Sequence, residues 1–326
     1  MILLYLLLVL MIFIWSLNFI FVDFAVVFIS PLSIAFYRFL IASISFLGID
    51  LFLKIKTRNQ NELISPHATE HKKFSKNDWI LIIIASLIGQ SIYFFVLYSA
   101  VDLIGPSLPA LFVCLLSPVV IAVLALFVFN EKLNKWKVFG FGVASIGSIL
   151  LVTGGNFSNL TTASPDFLGY ILALLTPIQW GIFTTLTKKI AQGKSTLKML
   201  KYITYLATLE LLVFLLLQGE MRVFFENFLN PTLIFIAIYI GLICHIIGYY
   251  IYQHSLKEMD SAKVASFLYI EPFITLIISM ILQIKETIVI WNILGGIIVL
   301  GAVLIINSQR SPREIEKETE TLIEEF

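Results

Sequence analysis

Charge is what this chain has least of. Only 13% of its 326 residues are charged, 59% are hydrophobic, and the mean hydropathy is +0.95. No soluble domain of this length needs so much apolar surface, whereas a bilayer protein does. Cysteine is nearly absent: Cys114 and Cys244 both fall inside apolar spans, so no disulfide framework and no redox compartment is implied. The four histidines do not cluster by spacing. His67 and His71 flank Glu70 at a metal-compatible interval, but Pro66 and the polar run 54–78 argue against a helix there, so that stretch reads as a solvated loop. No G-x-x-x-x-G-K-[ST], G-x-S-x-G or H-E-x-x-H is present, which leaves a primary pump or an enzyme without its chemistry. The reading is therefore no enzyme, no cofactor and no metal. The formal charge of +1 gives no reason to expect nucleic acid as a partner.

What is present in abundance is long apolar runs. Ten candidates appear: 2–22, 31–53, 79–100, 106–129, 137–154, 167–187, 199–218, 231–253, 263–284 and 288–307. Each is long enough to cross a hydrocarbon core of ~30 Å, and in a bilayer such runs must be helices. No Lys or Arg precedes the first run and no small-x-small site follows it, so it reads as a retained helix rather than a signal peptide. Nineteen of the 22 Lys and Arg fall in one alternating set of connecting segments. Only Arg222 and Lys285 fall in the other set, and Arg38 lies within a run. Basic loops stay in the cytoplasm, so both termini are expected there, in a multi-pass protein of the cell membrane.

The chain also contains one pattern twice. Leu116–Thr153 and Ile270–Asn307 each read as an apolar run opened by a proline, a polar turn with Glu and Trp, then a second apolar run. Glu131 and Glu286, Trp136 and Trp291, and Gly140 and Gly295 are each 155 residues apart. Tyr93 and Tyr249 are 156 apart, and Trp15 and Trp180 are 165 apart. The expected organisation is a first repeat over 1–155, a second over 156–308, and a charged cytoplasmic tail over 309–326. Five spans per repeat is an odd number, so the second copy enters the membrane from the opposite side. The fold expected is an all-α integral membrane protein of ten transmembrane helices in two inverted five-helix repeats, with a substrate site near the midplane between them.

Trp15-Ser16-Leu17-Asn18-Phe19, Arg38, Pro118 with Glu131, Trp180, and Glu271-Pro272 with Glu286 carry a resemblance that covers nearly all of 1–308. The chain resembles the drug/metabolite transporter superfamily, EamA type, with Ser16 where that family commonly has glycine. The resemblance implies export of amino acids or related metabolites. It also implies a cavity surrounded mainly by spans one, three, four, six, eight and nine.

Polar groups inside the runs are the candidate site, because a charge at the bilayer centre costs about 2.5–3.5 kcal/mol and needs a partner or a wet cavity. Arg38 suits an anionic substrate group or a carboxylate partner. Glu271 precedes Pro272, which frees a backbone carbonyl one turn earlier and suits a substrate ammonium or a proton. Pro118 makes the equivalent kink in the first repeat, with Ser117 in place of the carboxylate. His245 and Tyr249 share a face of span eight; Gln179, Trp180 and Thr184 share one in span six. Gln90 and Tyr93 in span three, with Trp15 and Asn18 in span one, complete the substrate-binding candidates. Tyr98 and Tyr252 read as interfacial anchors near span ends, and Glu210 as a polar link between helices. Gly140, Ala144 and Ser148 form a small-residue stripe assigned to scaffold or to a homodimer contact. The function expected is a secondary transporter of small metabolites; a channel, or a non-transporting scaffold or receptor, is the alternative.

Overall fold

The computed structural model describes residues 2–59, 72–131, 134–153, 155, 167–282 and 289–308. The His67/His71 pair, Lys285, Glu286 and the acidic tail lie outside the described residues. Among the described residues the protein is all helix. In chain order the helices are α1 (Ile2–Val26), α2 (Pro31–Asn59), α3 (Lys76–Ile104), α4 (Ser107–Phe129), α5 (Lys135–Thr153) and α6 (Phe167–Ala191). There follow α7 (Thr196–Leu217), the short α8 (Met221–Asn227), α9 (Pro231–Glu258), α10 (261–281) and α11 (Ile290–Ser308).

Eight of these, all but α5, α8 and α10, are long and apolar enough to cross a membrane. That count is short of the ten expected from the runs. In α10 the reason is visible: Pro272 lacks an N–H, and the helix tightens to a 3₁₀ turn over Phe267–Ile270 between Ser261–Ser266 and Glu271–Ile281. Beside the proline, the Glu271 carbonyl accepts from the Ser16 and Thr275 hydroxyls, at 3.2 and 3.0 Å, which ties α1 to this bend. α5 lies along α11. A Cβ on Gly140 would run into Ile306, and one on Gly147 into Ile298, so the small-residue stripe serves close packing within the chain.

Two helices depart from α geometry where the hydropathy pattern gave no hint. α3 opens to a π-turn over Leu87–Ile92 and α9 over Tyr239–Gly248, each ending just before the tyrosines, Tyr93 and Tyr249, that the repeat relates. Such insertions redirect side chains and concentrate at functional sites.

The helices run back and forth, so their connections gather at two ends. At one end Asp50 pairs with Lys201 (2.8 Å), Asp78 with Lys194 (2.7 Å), Glu131 with Lys188 (2.6 Å) and Asp260 with Lys137 (3.1 Å). This is the basic end. Each of those four pairs joins a residue below 155 to one above it. Tyr5 against Phe267 and Asn307 bonded to Ser266 bring both ends of the described chain to the same side. At the opposite end Glu220 accepts from Ser30 and Ser33, and Tyr37 donates to the Phe228 carbonyl.

Candidate functional site

A cavity of about 40 Å³, room for about three waters, lies inside the bundle. Seven helices wall it. α1 gives Trp15, Asn18 and Phe19; α2 gives Arg38; α3 gives Tyr93, Phe94 and Leu97. From the other side come Val113 of α4, Trp180 of α6, Tyr249 of α9, and Leu268 and Glu271 of α10.

Arg38 is 1% exposed and is held from three directions. Its Nη1 donates to Asn18 Oδ1 and to the Tyr98 hydroxyl, both at 2.8 Å, and the guanidinium lies 4.0 Å from the Phe94 ring centroid. Charge-assisted bonds contribute about 1.5–3 kcal/mol each, enough to offset the insertion cost of the charge. Among the described residues Nε has no hydrogen-bond partner, so that donor of the guanidinium fork stays uncommitted. Tyr98 was expected at the membrane interface; it is fully buried and serves as this acceptor instead.

Glu271 sits across the cavity with the Cys114 thiol 3.4 Å from Oε2. Among the described residues no ion pair joins Glu271 to Arg38 or to any other cation. One cavity thus holds a guanidinium and a carboxyl group that, among the described residues, make no ion pair with each other.

The remaining wall is aromatic. Trp15 and Trp180 meet edge to face with ring centroids 5.5 Å apart, and Tyr249 lies 5.3 Å from Trp15 and 5.5 Å from Trp180. Trp15 reaches this place because α1 and α9 touch at Gly248, where a Cβ would collide with the indole. Its Nε1 donates to the Cys244 carbonyl inside the π-turn of α9 (3.1 Å).

The structure brings seven of the sequence candidates to this cavity: Trp15, Asn18, Arg38, Tyr93, Trp180, Tyr249 and Glu271. Gln90, Ser117, Pro118, Gln179, Thr184, His245 and Pro272 are not in its wall. His245 packs behind it, bonded to Thr204 (2.8 Å), edge to face with Phe39 and tilted against Tyr249. Thr184 bonds Tyr252, one turn from the wall, and Tyr252 is fully buried rather than interfacial. Glu210 is a polar link as expected, accepting from Ser86 and Ser91 at the two ends of the α3 π-turn (2.7 and 2.6 Å). Phe19 and Phe94, which lie in the span-one motif and on the aromatic face of span three, also line the cavity; Leu97, Val113 and Leu268 do so without a sequence signal, because an apolar residue in an apolar helix reads the same whichever way it faces.

A buried, largely aromatic cavity with one guanidinium and one carboxyl group in its wall can bind and shield a small ion-bearing solute. The EamA-like transporter family model matches residues 2–153 and again 167–308. The chain belongs to the EamA-like transporter family. It is a multi-pass membrane protein carrying two EamA domains, in a family of transporters rather than enzymes. This EamA protein is 24% identical over 308 residues to an "Uncharacterized transporter" of Archaeoglobus fulgidus, covering 94% of this chain and 98% of that one. It is 22% identical over 252 residues to an "Uncharacterized transporter" of Clostridium kluyveri, covering 76% and 79%. A "Probable amino-acid metabolite efflux pump" of Salmonella typhimurium is 24% identical over 187 residues, or 56% of this chain and 61% of that one. A solved crystal structure superposes with a TM-score of 0.68 over 93% of this chain and 96% of its own, at 15% identity, and so shares the fold.

Proposed function

We propose that this EamA protein is a secondary carrier that exports small zwitterionic metabolites, amino acids or compounds like them, across the cytoplasmic membrane. The observation that carries this reading is a guanidinium and a carboxyl group facing one buried cavity without pairing with each other among the described residues. The open edge of Arg38 fits a carboxylate in two parallel bonds, and Glu271 fits an ammonium. The Salmonella relative's name adds weight to amino-acid metabolites as the class and to export as the direction.

The mechanism is alternating access about this cavity. α5 and α10 complete ten spans as the fifth and ninth. The halves 1–155 and 156–308 form inverted repeats, related by a rotation of about 180° around an axis in the membrane plane. The basic end faces the cytoplasm, with both termini and the tail 309–326 there. Support comes from the distribution of Lys and Arg and from the matched π-turns before Tyr93 and Tyr249. Fourteen residues make up the proposed site. Seven line the cavity. The other seven, Gln90, Ser117, Pro118, Gln179, Thr184, His245 and Pro272, shape the helices behind it or the route away from it.

Purified protein in liposomes loaded with an amino-acid mixture tests this. A carrier gives saturable counterflow of labelled solute against a gradient, and the active solute raises the melting temperature as ligand binding requires. Linear, non-saturating flux would make it a channel. No flux and no thermal shift across a broad zwitterion panel would leave a scaffold or receptor.

A further inference from the structure

Between the cavity and the basic end the bundle is polar, buried and tied shut. On α6, Trp180, Thr184 and Lys188 are spaced four apart, so they form one stripe that descends about 12 Å from the cavity wall. On α9, Gln253 follows Tyr249 by four and continues that face downward. All of these side chains are buried, Thr184 to 1% exposure and Gln253 to 0%. Thr184 and Tyr252 bond across the two helices at 3.3 Å. Among the described residues neither amide atom of Gln253 has a hydrogen-bond partner, nor has the Ser255 hydroxyl. Buried polar groups left unsatisfied are costly, and a helix pair that never separated here would do better with apolar residues.

At the bottom of the stripe, Lys188 Nζ reaches Glu131 Oε1 (2.6 Å), the Ser261 hydroxyl (2.8 Å) and the Met259 carbonyl (3.2 Å). Glu131 also accepts from the backbone N–H of Ser261 at 3.0 Å, at the first turn of α10. Glu131 is aimed there by Asn130, which ends α4 in the left-handed conformation (φ 52°) that asparagine tolerates. Beside this knot Lys137 pairs with Asp260. Two strands of bonding thus fasten the α4–α5 junction to α6 and to the α9–α10 connection. α10 carries Glu271 ten residues further on, about 15 Å along its axis.

We propose that this stripe is the solute's route between the cavity and the basic end, and that Glu131, Lys188 and Ser261, with Lys137 and Asp260, form the gate that closes it. The proposal rests on the carrier reading. Opening the gate exchanges the Lys188–Glu131 and Lys137–Asp260 pairs for water, hydrates Gln253 and Ser255, and frees the start of α10. The Thr184–Tyr252 bond is a second, thinner closure directly beneath the cavity.

The test reads the gate without reading transport. Thr184→Cys, in a Cys114→Ala/Cys244→Ala background, puts a thiol on the stripe between cavity and gate. In sealed liposomes of known orientation, an impermeant maleimide added at the basic end should label it slowly. In Glu131→Gln/Lys188→Gln the rate from that side should rise at least tenfold, with no comparable rise from the other side. Removing both partners together avoids leaving one buried charge unpaired. Should that variant not fold, judged by melting and size exclusion, Lys137→Gln/Asp260→Asn gives the same reading from the adjoining pair. An unchanged rate in a folded gate variant, or acceleration only from the opposite side, overturns the proposal. Flux without gate-dependent labelling would refute the gate and leave the carrier intact. Gate-dependent labelling without flux would do the reverse.

Discussion

Replacing Glu271 by glutamine separates two properties that usually fall together. The carboxylate is 3% exposed, and its hydrogen-bond partner is the Cys114 thiol. A glutamine oxygen can accept the same contact, in the same volume. The exchange also leaves no ionisable group to bury there, where an ionised carboxylate would cost about 2.5–3.5 kcal/mol. Folded stability is therefore expected to hold or rise. Solute binding should move the other way. A charge-assisted hydrogen bond contributes about 1.5–3 kcal/mol, so losing the charge opposite an ammonium should weaken affinity roughly 10- to 150-fold. Counterflow at subsaturating solute should fall by at least tenfold, while the melting temperature in detergent is unchanged or higher. Wild-type flux in Glu271→Gln would show that the carboxylate is only a structural acceptor and would remove the zwitterion argument. Loss of the fold would show that its charge is paired in a way the cavity geometry does not account for.

Arg38→Lys keeps the charge but replaces a fork with a point. It should weaken binding of carboxylate-bearing solutes by at least tenfold and bind their amides no worse, measured by thermal shift on both series. Gly248→Ala should push the Trp15 indole out of its seat and break its bond to the Cys244 carbonyl, costing about 1–3 kcal/mol, visible as a lower melting temperature together with weaker solute binding. Asn227→Cys, at the end of α8, should react with an impermeant maleimide in intact cells, while Lys189→Cys at the basic end should react only after lysis. The reverse pattern would invert the proposed topology.

The sequence was most legible where the bilayer leaves little choice. Long apolar runs must become helices in lipid, and their lengths mark most of the spans. The exceptions are α5 and α10, and α10 is broken by a 3₁₀ turn just before its own proline. Charged and polar residues inside those runs stand out because the membrane excludes them without a reason. Trp15, Asn18, Arg38, Tyr93, Trp180, Tyr249 and Glu271 were therefore visible before any fold was known. The repeat was visible in turn residues that hydropathy does not explain.

What only the tertiary structure decided is which way each helix face turns. Tyr98 and Tyr252 sit where interfacial tyrosines sit, yet both point inward, because Arg38 on α2 and Thr184 on α6 offer them partners. Lys137 and Lys188 read as loop charges facing water; both are buried against acids from the other half of the chain. Nothing local distinguishes a lysine at a helix end that meets solvent from one that meets a carboxylate more than fifty residues away in sequence. The π-turns in α3 and α9 have the same origin: they re-aim Tyr93 and Tyr249 toward a cavity that exists only once seven helices have come together around it. Composition and periodicity fix what a segment becomes, and packing between distant segments fixes what it faces.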